Sequence, residues 1–369
     1  MKKHIFIYLL AIIGLGIHLG SCQKHQEEAD NLFLWYDKPA SVWEEALPIG
    51  NGRLGAMIFG NPFQECIQVN EESLWSGAPI NSNNPKAAQN LDKIRELTLN
   101  HQYEAAKKLT AETFVGTPPR VRSYQTLGNI LLDYAIKDTT DYSRSLHLNE
   151  GISTTEFTSE GIRYKQDVFA SAVDNVIVTH LSASEEKGLN VLVRFEREKD
   201  VQLSVQGNEI LMEGQVIDED SPLAGKGGAH MKFAAKLRVL NQGGQISEKD
   251  GGIYIEKAHQ ATILMSAATD YNLSQLNFDR NIQPNGVCNQ ILEQACQYKH
   301  KELLARHIQD HTKIFNRVSI DLGKTPQDTL PTNVRLEAFK AGADDPSLIA
   351  LYFQYGRYLL MNSSRAPGI

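Results

Sequence analysis

The most suggestive chemistry in this sequence is a pair of adjacent carboxylates, Glu71 and Glu72, with Trp75 close behind, in the segment NEESLWSGAP (residues 70–79). Two carboxylic acids cleave a glycosidic bond when they face each other across a sugar, and an indole face stacks on a sugar ring. Consecutive residues of a strand point to opposite faces, so this pair alone cannot form such a constellation. The alternative for Trp75 is a core or interface tryptophan. A second candidate is His307-x-x-x-His311, two imidazoles one helical turn apart with Asp310 between them. A zinc protease would carry Glu where Ile308 stands, and no clear third ligand follows. The spacing therefore reads as a helix face packed against a sheet, and no metal is expected. Gly50-Asn-Gly52-Arg-Leu-Gly55 fits G-x-G-x-x-G, with Glu71 downstream. A dinucleotide fingerprint needs a strand before it and a helix after it. Here residues 56–59 are strand-like and end at Gly60-Asn61-Pro62, so the motif reads as a glycine-rich turn feeding a strand. Ser171, Ser204 and Ser266 sit in no G-x-S-x-G elbow, and no P-loop or EF-hand pattern appears. No cofactor is indicated.

The elements that must position these residues are mostly strands over residues 32–271. Residues 162–171 alternate, and 176–181, 189–195 and 201–205 are short β-branched or alternating runs. Gly207-Asn208 reads as a tight hairpin. Residues 231–240 form another strand, turned back by residues 241–244, and residues 253–255 and 261–267 complete the series. Many strands with glycine turns at short spacing predict a large β-sandwich of mainly antiparallel strands. One helical insertion interrupts it. Asn84-Pro85 offers a cap and a first-turn proline, Ala87, Leu91, Ile94 and Leu97 keep helical spacing, and residues 103–113 form a second helix.

After Pro284 the period changes. Residues 289–315 read as one long helix, 318–322 as a short strand, 335–340 as a helix, and Asp345-Pro346 as the cap of a final helix. In residues 351–369 Tyr352, Tyr355, Leu359 and Leu360 fall at helical spacing, with no partner helix following to cover them. The order predicts a sandwich, a helical linker and the start of an all-α domain.

Apolar content of 41% and charged content of 22% are ordinary for a folded soluble protein. The net charge of −7 becomes −9 without residues 1–21, which hold Lys2 and Lys3 and no acid. No Lys/Arg-rich run is present, so nucleic acid is not an expected partner. Lys2 and Lys3 precede an apolar stretch, residues 5–17, too short to span a bilayer, and then Leu19-Gly20-Ser21-Cys22. This resembles a bacterial lipoprotein box, in which Cys22 is acylated and becomes the new N-terminus. Two or more acyl chains make a stable membrane anchor, at about 0.8 kcal/mol per buried CH₂. The expected location is a periplasmic, outer-membrane or cell-surface lipoprotein. Cys66, Cys288 and Cys296 are an odd number with no zinc spacing, and are expected as buried free thiols.

Residues 46–79, ALPIGNGRLGAMIFGNPFQECIQVNEESLWSGAP, resemble the N-terminal sandwich of family 95 glycoside hydrolases, the α-L-fucosidases. SYQTLGNILLDY (123–134), YSRSLHLNEGI (142–152), YKQDVFAS (164–171), HIQDHTKIFNRVSIDLG (307–323) and DDPSLIALYFQYGRYLLMNSSR (344–365) follow in family order. The resemblance implies a mainly β fold: a large antiparallel super-sandwich, a helical linker and the first helices of an incomplete (α/α)₆ barrel. The expected boundaries are 1–21 signal peptide, 22–30 tether, 31–282 sandwich, 283–330 linker and 331–369 barrel start.

The resemblance implies hydrolysis of terminal α-L-fucose from an oligosaccharide or glycan, with inversion. It places the general acid, the activating asparagines and the base in sequence beyond Ile369. No catalytic residue is therefore assigned, and the chain alone is expected to be inactive. Asn70, Glu72 and Trp75 are expected to border the substrate pocket. Two alternatives stay open: an α-L-galactosidase of the same family, and a non-catalytic glycan-binding or structural lipoprotein.

Overall fold

The computed structural model describes residues 32–366 and 368. Cys22, the leader and the tether lie outside the described residues. Among the described residues the strands gather into two large antiparallel sheets and a short hairpin. The nine-stranded sheet runs β1 (Phe33–Tyr36), β6 (Thr140–His147), β7 (Ile152–Ser159), β8 (Ile162–Ser171), β9 (Val176–Ala183), β16 (Gln260–Thr269), β13 (Gly228–Gln242), β12 (Glu209–Asp218) and β11 (Val201–Gln206). The seven-stranded sheet runs β14 (Gln245–Lys249), β15 (Gly252–Ala258), β10 (Leu189–Glu196), β5 (Gly128–Tyr134), β4 (Gln64–Glu71), β3 (Leu54–Ile58) and β2 (Leu47–Gly50). The hairpin is β17 (Tyr271–Asn272) and β18 (Asn277–Phe278).

Period-two alternation makes the sandwich. In β4 Glu65, Ile67, Val69 and Glu71 point inward, and in β10 Val191, Val193 and Phe195 do so. They meet Phe157, Val168, Ile177, Leu237, Ile263 and Met265 of the facing sheet in one apolar core. β9 departs from alternation, because residues 176–181 are buried on both parities. Helices α3 (Pro284–Ala295) and α4 (His300–Phe315) cover the outer face of that sheet. There Leu292, Ala295 and Leu303 pack on Ile152, Phe169, Val176, Val178 and Leu264. A strand covered on both faces reads as a continuous apolar run. Phe169 anchors this second layer, and its truncation to Ala is worth about 3–5 kcal/mol.

The residues expected as one helix, 289–315, form two. The chain breaks at 296–299, where Lys299 is extended and donates its N–H to the Glu302 carboxylate at 2.7 Å, which restarts the helix. Residues 318–322 do not form the expected strand and pair with neither sheet. The Val318 carbonyl instead accepts from Arg357 (3.0 Å) and Gln354 (3.3 Å). Among the described residues Cys288 is buried, whereas Cys66 and Cys296 are half-buried, and these three are free. The insertion between β4 and β5 is a helix pair, α1 (Ala87–Leu99) and α2 (Tyr103–Thr113). After α4 come α5 (Thr332–Lys340) and α6 (Pro346–Ser363). Asp345 caps α6 by accepting from the Leu348 N–H at 3.0 Å. The α6 stripe Leu348, Leu351, Tyr358 and Asn362 is buried, with the Tyr358 hydroxyl donating to the Pro48 carbonyl at 2.9 Å.

Candidate functional site

The glycine-rich motif is a tight joint. The Asn51 side chain accepts from the Arg53 (3.1 Å) and Leu54 (2.7 Å) N–H groups and donates to the Ser171 carbonyl at 3.0 Å, so it shapes the turn from β2 to β3. Gly52, at φ +90°, donates its N–H to the Asn362 carbonyl at 2.8 Å. A Cβ on Gly50 would stand 2.5 Å from that carbonyl oxygen, and one on Gly52 would stand 2.5 Å from the Arg365 Cβ. The motif therefore lacks side chains where the C-terminal end of α6 lies on it. Arg365 then reaches Asp310 of α4 at 2.7 Å and ties the two helices together.

Arg53 bridges the two sheets. Its guanidinium donates to Asn175 (2.8 Å) and to the Ala267 carbonyl (2.6 Å) and pairs with Glu71 at 3.3 Å. Glu71 also accepts from the Ser73 N–H (2.8 Å) and hydroxyl (2.7 Å). Burial lifts its carboxyl above the ordinary range even against Arg53 and Ser73. With both oxygens so engaged, Glu71 braces the joint and is not aimed at solvent.

Glu72 lies beyond the strand end. Its N–H donates to the Arg53 carbonyl at 2.9 Å, and its carboxylate stands beside Gly368. Trp75 donates its indole N–H to the Glu72 carbonyl at 3.1 Å and meets Tyr124 edge-on, with centroids 5.4 Å apart. The Tyr124 hydroxyl donates to Asn70 (3.2 Å) and to the Glu71 carbonyl (3.0 Å), and burial raises its pKa. Asn70, Glu72 and Trp75 are thus gathered around Tyr124, and Glu72 reaches the segment that follows α6. Tyr124, Arg53 and Arg365 all fall within the family-like segments, but nothing in their spacing marks them as partners.

Other perturbed groups serve the scaffold. Each buried His of α4 meets a backbone carbonyl, His307 at Gly151 (3.2 Å) and His311 at Leu148 (2.8 Å). The His307 ring also lies tilted against Phe169, with centroids 4.8 Å apart. Among the described residues no three His, Cys, Asp or Glu side chains form a group that could hold a metal. Glu65 is fully buried, and burial pushes its carboxyl up to about 7. It accepts from the Phe59 and Gly60 N–H groups and from Gln166, facing the sandwich core.

Comparison with known proteins matches this division of labour. The profile of the glycosyl hydrolase family 65 N-terminal domain fits residues 34–274, and that of the family 95 catalytic domain fits residues 299–369. The chain belongs to the family that carries the glycosyl hydrolase family 65 N-terminal domain, and its residues 299–369 are similar to the family 95 catalytic domain. It is 32% identical to Alpha-L-fucosidase 2 of Arabidopsis thaliana, over 93% of this chain and 43% of that protein. It is 28% identical to Probable alpha-fucosidase A of Aspergillus niger, over 91% of this chain and 43% of that protein. The chain thus spans less than half the length of these relatives. A solved kojibiose phosphorylase from human microbiome, described as putative, shares the fold with a TM-score of 0.51 and 11% identity, over 85% of this chain and 41% of that one. In this chain the contacts of Gly50 and Gly52 with residues 362–365 join the segments matched by the two profiles.

Proposed function

We propose that this chain supplies the N-terminal domain and the opening of the catalytic domain of an exo-α-L-fucosidase, an enzyme that hydrolyses terminal α-L-fucosyl residues of glycans with inversion. The likeness to Alpha-L-fucosidase 2 over 93% of the chain carries this reading. Asn70, Glu72 and Trp75 border the substrate pocket in this reading, a role supported by their grouping around Tyr124 and by the contact of Glu72 with Gly368. Glu71 supplies no acid, because Arg53 and Ser73 hold it. Inversion needs two catalytic groups about 6.5–9.5 Å apart, with a water between. The test compares nitrophenyl α-L-fucoside with nitrophenyl α-L-galactoside. The protein expressed from its gene is expected to release nitrophenol faster from the fucoside, with the β-anomer of fucose appearing first by NMR. Residues 1–369 alone stay at background. Preference for the galactoside, a retained anomer, or clear turnover by the 369 residues sinks the reading.

We also propose that Cys22 is acylated and anchors the protein to a bacterial membrane after export. Incorporation of labelled palmitate that disappears in Cys22→Ser supports this; equal labelling of both forms overturns it.

A further inference from the structure

A cleft of about 560 Å³ has walls that include Trp75 and, from the β17–β18 hairpin, Tyr271 and Phe278. That is within the range of small-ligand sites, about 300–1,000 Å³. Tyr271 pairs with Phe278 across the β17–β18 hairpin, and directly opposed residues share a face. Both residues line the cleft. The hairpin is held firmly. Fully buried Asp270 accepts from the Lys232 N–H at 2.9 Å and pairs with Arg280. Arg280 also donates to the His230 carbonyl at 2.7 Å and lies 4.1 Å from the Phe278 ring centre. Trp75 is 40% exposed, yet its indole N–H and its edge contact with Tyr124 hold it in place. Neither wall has to be ordered when a ligand enters, which lowers the entropic penalty of binding.

Polar groups accompany the rings. Arg122, a lining residue, pairs with Asp218 at 3.3 Å, and the buried His230 ring faces Asp218 at 3.7 Å with its Nε2 left without a hydrogen-bond partner. Arg122 pairs with Asp218 and exposed Lys226 is the other Lys or Arg of the lining, so the cleft offers no buried unpaired Lys or Arg to select a strongly charged ligand. A purely hydrocarbon ligand would leave the polar groups unused. A sugar offers flat apolar faces and hydroxyls that both donate and accept, so it matches rings and polar groups together. We propose that this cleft is a saccharide-binding site for the neutral sugar chain of a glycan behind its terminal residue; the class of ligand rests on the fucosidase reading. Trp75, which lines the cleft, is hydrogen-bonded through its indole N–H to the carbonyl of Glu72, whose carboxylate stands beside Gly368.

The test titrates the full chain calorimetrically with a fucosylated oligosaccharide and with the same oligosaccharide after enzymatic removal of fucose. Both are expected to bind with similar affinity. Trp75→Ala and, on the separate hairpin, Tyr271→Ala are each expected to weaken both by about tenfold. Trp43→Ala, an exposed tryptophan outside the cleft, is expected to leave both unchanged. Thermal melts identify a variant that has lost its fold, and the other wall then decides. The proposal is overturned if neither oligosaccharide binds, if only the fucosylated one binds, or if binding survives both cleft substitutions. Because the defucosylated probe reports on chain binding alone, failure of the hydrolysis assay and failure of this one are separate results.

Discussion

At Gly52 two constraints meet, a positive φ and a neighbouring chain. They can be separated with Gly161, which shares the sign of φ, at +80°, but where an added Cβ would meet nothing within 4 Å. Gly161→Ala should lose only the backbone preference, on the order of 1 kcal/mol. Gly52→Ala should lose clearly more by chemical denaturation; equal losses would mean that the Arg365 contact yields freely. Glu65 makes a prediction of opposite character. Its folded pKa of about 7 lies above the ordinary value of 4.5, so the native state holds more protons between those values. Stability from this group is present below pH 4.5 and is lost as pH rises toward 7, by roughly 3 kcal/mol at most. Glu65→Gln keeps an acceptor for the Phe59 and Gly60 N–H groups but does not titrate. Relative to the parent it should therefore be more stable at pH 8 than at pH 5, and an offset that does not change with pH would refute this. Neither role is legible in the sequence. Glu65 sits on the inward parity of an ordinary alternating strand, and the glycine motif announces a turn without naming what lies on it.

At the scale of elements, α4 is held by histidines that fold neutral. Burial pushes His180, His307 and His311 down to about 4 and lowers His300, which stacks on His180 with centroids 3.6 Å apart. Asp167 and Asp310 oppose the shift, while Lys165, Lys301 and Arg365 reinforce it. Their folded pKa values are depressed, so the stability they contribute is full above pH 6.5 and is lost as pH falls toward 4. Three such groups outweigh Glu65, which gains stability in the same window. Amides of α4 should exchange disproportionately faster at pH 4.5 than at pH 7 after correction for intrinsic rates, while those of β4 and β5 lag behind. Uniform loosening of both would argue against a local clasp. At the next helix pair, Arg335 grips buried Asp345 through two donors, at 2.9 and 2.8 Å. Arg335→Met strands that carboxylate and should cost about 3–5 kcal/mol in a denaturation series. Element limits are readable where local chemistry sets them: Gly207-Asn208 turns β11 into β12, and Asp345 starts α6. The break at 296–299 is not readable. It follows from how α3 and α4 each settle on the sheet, and Gly and Pro, the usual breakers, are absent from residues 296–299.

For the whole molecule, the sandwich follows from composition and alternation, but the order of its strands does not. β16 lies between β9 and β13 through pairings distant in sequence, which no local pattern encodes. The outer side of α6 is readable: Tyr352 and Leu360 are 77% and 73% exposed, with Ile349 and Phe353 nearby at about half. Contiguous apolar surface promotes association. The double variant Tyr352→Lys, Leu360→Glu should therefore sediment as a smaller species than the parent at equal concentration; identical profiles would show that this side is not adhesive. The joint between the two profile-matched segments also has an evolutionary meaning. One partner contributes a main-chain oxygen at Asn362, which nearly any amino acid could furnish, while the other contributes emptiness at Gly50 and Gly52, which only glycine provides. Mutational freedom across this contact is thus one-sided: the helix can drift in sequence while the turn beneath it stands still.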